Sequence, residues 1–177
     1  VSAVLERDFP QDVLVRKSSS KNKDLAELKI ATSSLRRRAF WSEKFPNTQF
    51  SDIRGNVQTR LKKLEEGDFD ATLFSLAGIK RMEMELEYEI LDFMISAPSQ
   101  GVVAISSRVD DVETKAILQK INHKTTQICV EIERNFLRTL EGGCTAPIGA
   151  IAKFDEGKIT FEGKLNSLDG RKSINLF

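Results

Sequence analysis

Arginine side chains gather in short stretches of the sequence, and their type and spacing suit the binding of anions. Residues 30–38 read Ile-Ala-Thr-Ser-Ser-Leu-Arg-Arg-Arg, and residues 53–60 read Ile-Arg-Gly-Asn-Val-Gln-Thr-Arg. A further basic pair, Lys80-Arg81, follows Ala-Gly-Ile. A planar guanidinium group donates two parallel hydrogen bonds to a carboxylate or a phosphate. Clustered arginines of this kind therefore indicate a site for such groups.

A helix predicted from Leu35 to Lys44 gives the first arginines an unusual position. Residues 28–31 are typical of the end of a buried strand, and one of the hydroxyl residues 32–34 can cap the helix. The arginines 36–38 then fall in the first turn, where the helix dipole disfavours cations. Because the free N–H groups of that turn also attract anions, the pattern predicts that an anion is bound there.

The same arrangement of strand, turn and helix is predicted twice more. Residues 49–53 read as a strand before a helix at 57–66 that ends at Gly67, and residues 69–75 read as a strand before a helix that opens at Ala77. Alternating elements of this kind predict an α/β domain with a doubly wound, mainly parallel sheet, whose ligands bind at the carboxyl ends of the strands. The arginines that would line such a crevice are Arg36, Arg37, Arg54, Arg60 and Arg81. Spacing alone leaves open the alternative that they are solvated surface residues with ordinary ion pairs.

The second half of the chain carries different patterns. Residues 82–91 alternate acidic and apolar side chains and predict a short exposed helix. Two further helices are predicted at 112–121 and 125–140, the second with Ile128, Ile132, Phe136 and Leu140 on one face. Three alternating segments after residue 148 predict an antiparallel sheet beside the second helix. Cys144 follows two glycines and is predicted to lie in a loop. Nearby cations are needed to activate its thiol.

Composition sets the outer limits of function. The chain has 177 residues, of which 40% are hydrophobic and 30% charged, with a formal net charge of +1. No apolar run is long enough for a membrane span, and two cysteines fit a reducing compartment, so a cytoplasmic location is the default expectation. The lone His123 has no second ligand near it in sequence, so no metal site is predicted.

Four motifs, in order, resemble the hydroxymethylbilane synthase (porphobilinogen deaminase) family. They are Thr-Ser-Ser-Leu-Arg-Arg at 32–37, Arg-Gly-Asn-Val-x-Thr-Arg at 54–60, Ala-Gly-Ile-Lys-Arg at 77–81 and Leu-Glu-Gly-Gly-Cys-Thr-Ala-Pro-Ile-Gly at 140–149. The resemblance runs from Val1 to about Phe161. One departure is Pro98-Ser99, where relatives typically have Val-Gly before Gln100-Gly101.

The resemblance implies a transferase of tetrapyrrole and haem biosynthesis. Such an enzyme deaminates four porphobilinogen molecules and joins them into linear hydroxymethylbilane on a dipyrromethane primer held through a thioether, here at Cys144. Porphobilinogen and the growing polypyrrole chain would be its partners, with no nucleic acid, membrane or metal. The implied cofactor-binding residues are Cys144, Ser34, Arg36, Arg37, Gly55 and Arg60. Arg54, Arg60 and Arg81 would bind substrate carboxylates and serve elongation.

The resemblance also implies a division into domains and a missing catalytic group. Residues 1–5 and 100–119 would be remnants of a truncated first domain, residues 6–99 an α/β domain like a lobe of a periplasmic binding protein, and residues 120–177 a truncated α+β domain that carries the attachment cysteine. The family's catalytic aspartate, in a Lys-Asp pair of the first domain, has no match here. We therefore expect a fragment that is inactive alone, from a parent enzyme that is a monomer.

Three other functions compete with this interpretation. A non-catalytic α/β module could bind small anions through the same arginines without using Cys144. Nucleic-acid binding through arginines 36–38 with Lys62 and Lys63 is disfavoured by the nearly balanced charge. A dinucleotide enzyme is disfavoured because no Gly-x-Gly-x-x-Gly follows any predicted strand.

Overall fold

The computed structural model describes residues 1–140 and 146–177, which form ten strands and five α-helices. The strands are β1 (Ala3–Val4), β2 (Asp12–Arg16), β3 (Ile30–Ala31), β4 (Phe50–Ser51), β5 (Ala71–Ser75), β6 (Glu89–Ile90), β7 (Ala104–Ile105), β8 (Ile148–Asp155), β9 (Lys158–Asn166) and β10 (Ser173–Leu176). The helices are α1 (Leu35–Lys44), α2 (Val57–Glu66), α3 (Leu76–Arg81), α4 (Val112–Gln119) and α5 (Lys124–Thr139). In these ranges no helix combines the length and the apolar surface needed to cross a bilayer.

The largest sheet has five strands in the order β4-β3-β5-β2-β6. Strand β3 runs parallel to β4 and β5, whereas β2 runs antiparallel to both β5 and β6. The sheet is therefore mixed, and the prediction of a mainly parallel sheet was wrong for its second half. Strands β2 and β3 border β5 from opposite sides and run in opposite directions. The segment that joins them has only two short 3-10 turns, at Ser18–Ser20 and Leu25–Glu27, instead of the helix usual in a parallel crossover.

Apolar side chains pack on both faces of this sheet. On one face Phe40 and Trp41 of α1 are almost fully buried, and on the other Leu64 of α2 packs with Ile79 of α3. Burying each such side chain contributes about 1.5–3 kcal/mol. Helices α1 and α2 have the bounds that the sequence predicts, and Gly67 ends α2 through its N–H bond to the Lys63 carbonyl.

The segment after α3 is not the exposed helix that the alternation of acidic and apolar residues predicts. Residues 82–88 contain no helix, and Glu89–Ile90 instead pairs with β2 as the edge strand β6. Glu83 adopts a positive φ of 51°, which ends the helical path directly after α3.

The C-terminal sheet has the predicted antiparallel order β10-β9-β8, with α5 packed on β8. The buried face of α5 differs from the predicted apolar stripe, because Thr126, Cys129 and Glu133 are the buried residues while Ile128 remains 42% exposed. Glu133 is drawn inward by three donors, which are described below. The buried face of α5 thus includes a carboxylate, while Phe136 of the predicted stripe packs on Phe161 of β9 with 5.2 Å between ring centroids.

Two chain crossings connect the large sheet with a small two-stranded sheet. Strands β1 and β7 pair antiparallel, with Ala3 opposite Ile105. The first crossing (residues 5–11) leads from β1 to β2, and the second crossing (residues 96–103) leads back towards β7. The two crossings bond to each other directly, since the amide of Asp8 donates to the carbonyl of Gly101 at 2.9 Å.

Candidate functional site: an arginine cluster around a buried carboxylate

The antiparallel direction of β2 decides which residues meet at the edge of the large sheet. Asp12, the first residue of β2, lies opposite Ser75, the last residue of β5. The parallel strands β3 and β5 also end at this edge, where α1 and α3 begin. Asp12 is thereby brought to the amino end of α1, whose first turn carries the arginines.

Asp12 is completely buried and bonded to two guanidinium groups. Its Oδ2 accepts from Nη1 of Arg36 at 2.6 Å, and its Oδ1 accepts from Nε of Arg37 at 3.0 Å. Nη1 of Arg36 also donates to the carbonyl of Ile95 at 2.8 Å, and Nη2 lies 3.4 Å from Oε1 of Gln100. The anion predicted beside the first turn of α1 is thus an internal carboxylate.

Arg37 and Arg60 converge on one backbone oxygen. The carbonyl of Leu73 accepts from Nη1 of Arg37 at 2.9 Å and from Nη2 of Arg60 at 2.6 Å. Nη2 of Arg60 also donates to Oγ1 of Thr72, and its guanidinium lies 4.3 Å from the ring centroid of Phe74. Nε of Arg60 is buried without an acceptor among the described residues.

We call Asp12, Arg36, Arg37 and Arg60 the arginine cluster, and its charges are unbalanced. Burial alone would raise the pKa of Asp12, but attraction and hydrogen bonds from Arg36 and Arg37 hold it below its usual value. Burial and the neighbouring positive charge of Arg37 lower the pKa of Arg60 to about 10. Three cations around one carboxylate leave an excess of positive charge that favours a further anion.

Ser34 and Gly55 shape the backbone beside the cluster. Ser34 caps α1, and its hydroxyl accepts from the amide of Arg37 at 3.4 Å. Gly55 has a φ of +126°, and a Cβ there would come within 2.8 Å of two side-chain atoms of Thr59. The turn that leads into α2, and so to Arg60, therefore requires glycine.

The structure does not join the remaining predicted arginines to the cluster. Arg54 and Arg81 are exposed, and no ion pair to either side chain occurs among the described residues. Arg38, which lies outside the family motif, binds Asp52 at 2.7 Å and the carbonyl of Thr32.

The predicted attachment residue, Cys144, lies outside the described residues, as do its neighbours 141–143 and 145. The other cysteine, Cys129, is buried, and burial raises the pKa of its thiol. A thiol held protonated in this way is a poor nucleophile.

Sequence reasoning missed Asp12, Gln100 and the Leu73 carbonyl. A backbone carbonyl leaves no signal in residue types. Asp12 does leave one, because an aspartate that opens a fully apolar strand must find a cation if it is buried. In a parallel sheet the start of β2 would lie at the opposite edge from the arginines, so the predicted mainly parallel sheet did not suggest this pairing.

Two family models match the chain. The model described as porphobilinogen deaminase, dipyromethane cofactor binding domain, matches residues 1–116, and the model described as porphobilinogen deaminase, C-terminal domain, matches residues 127–176. The unmatched residues 117–126 span the end of α4 and the start of α5. Among solved structures, YhfZ from Shigella flexneri aligns with a TM-score of 0.34 and 15% identity over 81% of this chain and 65% of that one, which is too weak a likeness to bear on the fold.

Curated relatives carry the same family name. The porphobilinogen deaminases of Chloroherpeton thalassium and Chlorobium luteolum are each 42% identical over 178 residues, which cover 98% of this chain and 57% of the relative. The probable porphobilinogen deaminase of Methanocaldococcus jannaschii is 46% identical over 160 residues, 88% of this chain and 54% of the relative. The chain thus spans little more than half the length of these relatives. With both family models matched in order along it, the chain belongs to the porphobilinogen deaminase family.

Proposed function

We propose that this chain supplies the carboxylate-binding and cofactor-attachment parts of a porphobilinogen deaminase, the transferase that makes hydroxymethylbilane from four porphobilinogen molecules. The observation that carries the proposal is the convergence of Arg37 and Arg60 on the Leu73 carbonyl, with the Nε donor of Arg60 left without an acceptor. The two guanidinium groups share one neutral acceptor. A carboxylate bound there would form stronger hydrogen bonds with them than the carbonyl does, because it carries a negative charge.

The chemistry of the substrate fits this cluster. Each porphobilinogen carries an acetate and a propionate, so a growing polypyrrole chain accumulates negative charge. Guanidinium groups bind carboxylates through two hydrogen bonds, and the partial burial of Arg37 and Arg60 strengthens the attraction. Because burial and a like charge lower the pKa of Arg60, an anion bound there stabilises the protonated guanidinium.

We assign the roles of the predicted site residues from their surroundings. Arg60 binds carboxylates of the cofactor and substrate together with Arg37, which also shares Asp12 with Arg36. Arg36 holds Asp12 and supplies charge. Ser34 and Gly55 fix the backbone that presents these arginines. The exposed Arg54 and Arg81 remain available to bind substrate carboxylates as the chain grows.

The dipyrromethane cofactor would be held covalently by Cys144 and ionically by the arginine cluster. A donor set of guanidinium groups with excess positive charge suits the acetate and propionate groups of a dipyrrole. When bound, the cofactor supplies a pyrrole with a free α-carbon as the nucleophile. The chain's own residues bind and orient the carboxylates.

The three separate sheets support a division into domains. We propose that the β1–β7 pair, with residues 1–5 and 100–119, belongs to the family's first domain, that residues 6–99 form the second, and that residues 120–177 belong to the third. The likeness of the second domain to a periplasmic-binding-protein lobe is part of this proposal. The proposal also includes a parent enzyme that is monomeric and cytoplasmic and that has no nucleic-acid or membrane partners.

The family's catalytic aspartate has no counterpart that matches its sequence context here. Asp12, the one buried carboxylate of the cluster, is occupied by two arginines. We therefore expect the 177 residues alone not to sustain turnover. Steady production of hydroxymethylbilane by the purified chain would contradict this expectation.

Intact-mass analysis tests the proposed function. The chain is incubated with porphobilinogen or with preformed hydroxymethylbilane, and the modified peptide is mapped. We expect a mass increase on Cys144, of dipyrrole size from porphobilinogen and of tetrapyrrole size from hydroxymethylbilane without turnover, lost in Cys144→Ser and retained in the matched control Cys129→Ser. If no adduct forms on this chain, the same experiment on the full-length gene product decides, and the absence of an adduct there as well would contradict the proposal.

The second candidate is a non-catalytic module that binds small anions. The observation that favours it is that the contacts that hold the arginine cluster together all lie among the described residues. Under this function, Cys144→Ser would bind porphobilinogen as tightly as the unmodified chain and neither would gain mass. The adduct experiment therefore separates the two candidates.

A further inference from the structure

Gln100 in the second crossing touches the arginine cluster with both ends of its amide. Its Nε2 donates to Oδ1 of Asp12 at 3.2 Å and to the carbonyl of Pro10 at 2.6 Å. Its Oε1 lies 3.4 Å from Nη2 of Arg36. One neutral side chain thus contacts the central carboxylate, one of its cations and the backbone of the first crossing.

The backbone of Gln100 belongs to the contact between the two crossings. Its carbonyl accepts from Nη1 of Arg7 at 3.2 Å, and the neighbouring Gly101 carbonyl accepts from the amide of Asp8 at 2.9 Å. Gly101 has a φ of +81°, and a Cβ there would lie 3.0 Å from the carbonyl oxygens of Asp8 and Phe9. The crossings therefore pack backbone against backbone, so a shift of one moves the other.

The second crossing is also fixed to the C-terminal unit. The amide of Ser99 donates to Oε2 of Glu133 at 2.7 Å, while Oε1 of Glu133 accepts from Arg7 at 2.6 Å and from the amide of Ala152 at 2.8 Å. Gln100 stands between this fixed point and the arginine cluster. Among the described contacts, it is the residue whose side chain reaches the cluster and whose backbone joins the crossings.

We propose that Gln100 is a positioning residue that couples anion binding at the arginine cluster to the contact between the two crossings. The inference rests on the proposed function, because the anion is a carboxylate of porphobilinogen. A carboxylate that draws on Arg37 changes the share of hydrogen bonding left for Asp12. The Gln100 amide bonds both Asp12 and Pro10, so that change reaches the first crossing.

Coupling of this kind must be reciprocal. If anion binding tightens the crossings, then loosening the link at Gln100 weakens anion binding. The three ion-pair contacts of Asp12, at 2.6–3.0 Å, do not involve Gln100, so the cluster itself persists without it. We therefore expect a moderate effect, about fivefold in affinity, at the low end of measured couplings.

The experiment measures two quantities on the same proteins. The affinity for porphobilinogen is determined by calorimetry, and hydrogen exchange is followed in a peptide that contains the Asp8 amide, with and without saturating porphobilinogen. The variant is Gln100→Met, which keeps the length of the side chain and removes its hydrogen bonds. Gln119→Met is the matched control, because Gln119 makes a comparable bond to the Ser2 carbonyl at 2.7 Å outside the cluster.

The proposal predicts that porphobilinogen slows exchange at Asp8 in the wild type and in Gln119→Met. In Gln100→Met the affinity falls about fivefold and the ligand no longer changes exchange at Asp8. If the wild type binds porphobilinogen and Gln100→Met shows the same affinity and the same exchange response, this inference is overturned and the proposed function still stands. Failure of the wild type to bind porphobilinogen would overturn both.

Discussion

The carboxylate of Asp12 and the guanidinium of Arg36 form a buried ion pair at 2.6 Å, and Arg37 completes the arrangement from the next position of the same helix. The side chains of Asp12 and Arg36 are 0% and 7% exposed. Cations in the first turn of a helix are unfavourable by themselves. Here the opposing carboxylate comes from the neighbouring antiparallel strand, so the site and the sheet topology depend on each other.

Replacing Asp12 by asparagine tests this dependence. The change keeps the size of the side chain but leaves two buried guanidinium groups without their carboxylate, which is expected to lower the free energy of unfolding by about 3–5 kcal/mol. The midpoint of urea denaturation measures the loss. Asp52→Asn is the control, because it removes the partner of the more exposed Arg38 and is expected to cost about 0–1 kcal/mol. Equal losses in the two variants would contradict a central role for Asp12.

Asp70 gives a prediction about acid stability. Its carboxylate accepts from the Ser20 hydroxyl at 2.6 Å, from Nζ of Lys23 at 2.9 Å and from the amide of Lys29 at 2.9 Å. Burial opposes ionisation, but these bonds outweigh it and lower the pKa of Asp70 from 3.8 to about 2. A depressed pKa in the folded state stabilises the protein above the unfolded pKa. That stability is lost as the pH falls from about 4 to about 2.

The test compares the free energies of unfolding of wild type and Asp70→Asn between about pH 5 and about pH 2. This range covers the titration of the Asp70 carboxyl group in both the folded and the unfolded protein. The variant is expected to be less stable at pH 5 and to lose less stability on acidification. Asp68→Asn, which removes a carboxylate that is 97% exposed two positions away, is the control and should follow the wild-type profile. Parallel profiles for wild type and Asp70→Asn would refute the assignment.

Ser99 is strained in the second crossing, two residues before the contact of Gly101 with the first crossing. Its φ is 69°, and its hydroxyl is buried without a partner among the described residues. The left-handed conformation costs a residue other than glycine about 1–3 kcal/mol. Ser99→Gly removes both the strain and the unpaired hydroxyl, and it should raise the free energy of unfolding even after the greater flexibility of unfolded glycine is counted.

Ser99→Ala separates the two costs, because alanine removes the hydroxyl and keeps the strain. We expect the order of stability to be Ser99→Gly, then Ser99→Ala, then wild type, as measured by thermal unfolding. Unfolding of Ser99→Gly below the wild-type temperature would show that the serine is accommodated without strain.

The sequence predicted local elements well and their directions less well. Helices α1 and α2 were predicted to the residue, because hydroxyl caps, an apolar stripe and Gly67 define their ends within a few positions. The direction of β2 was missed, because an apolar strand such as Val13-Leu14-Val15 looks the same whether it pairs parallel or antiparallel. Its orientation depends on contacts with β5, about sixty residues later, which no local pattern encodes.

The candidate site was predicted as a set of arginines but not as a geometry. Motif spacing identified Arg36, Arg37 and Arg60, which the structure brings together, and Arg54 and Arg81, which stay exposed. Nothing in the residue types distinguishes an arginine bonded to a buried carbonyl from one that faces solvent. Cys144 was identified from its surrounding motif, and its role stays a prediction.

Calorimetric titration with porphobilinogen tests most directly the claim that the arginine cluster binds pyrrole carboxylates. The variants are Arg60→Gln and Arg60→Lys, with Lys62→Gln on the same helix as the control, since Lys62 is 76% exposed and pairs with Glu66. A thermal melt of each variant confirms that it is folded. The wild type and Lys62→Gln should bind alike. Arg60→Gln should bind at least about tenfold more weakly, the loss expected for a charged hydrogen bond, with Arg60→Lys in between. Equal affinity of wild type and a folded Arg60→Gln would contradict the claim.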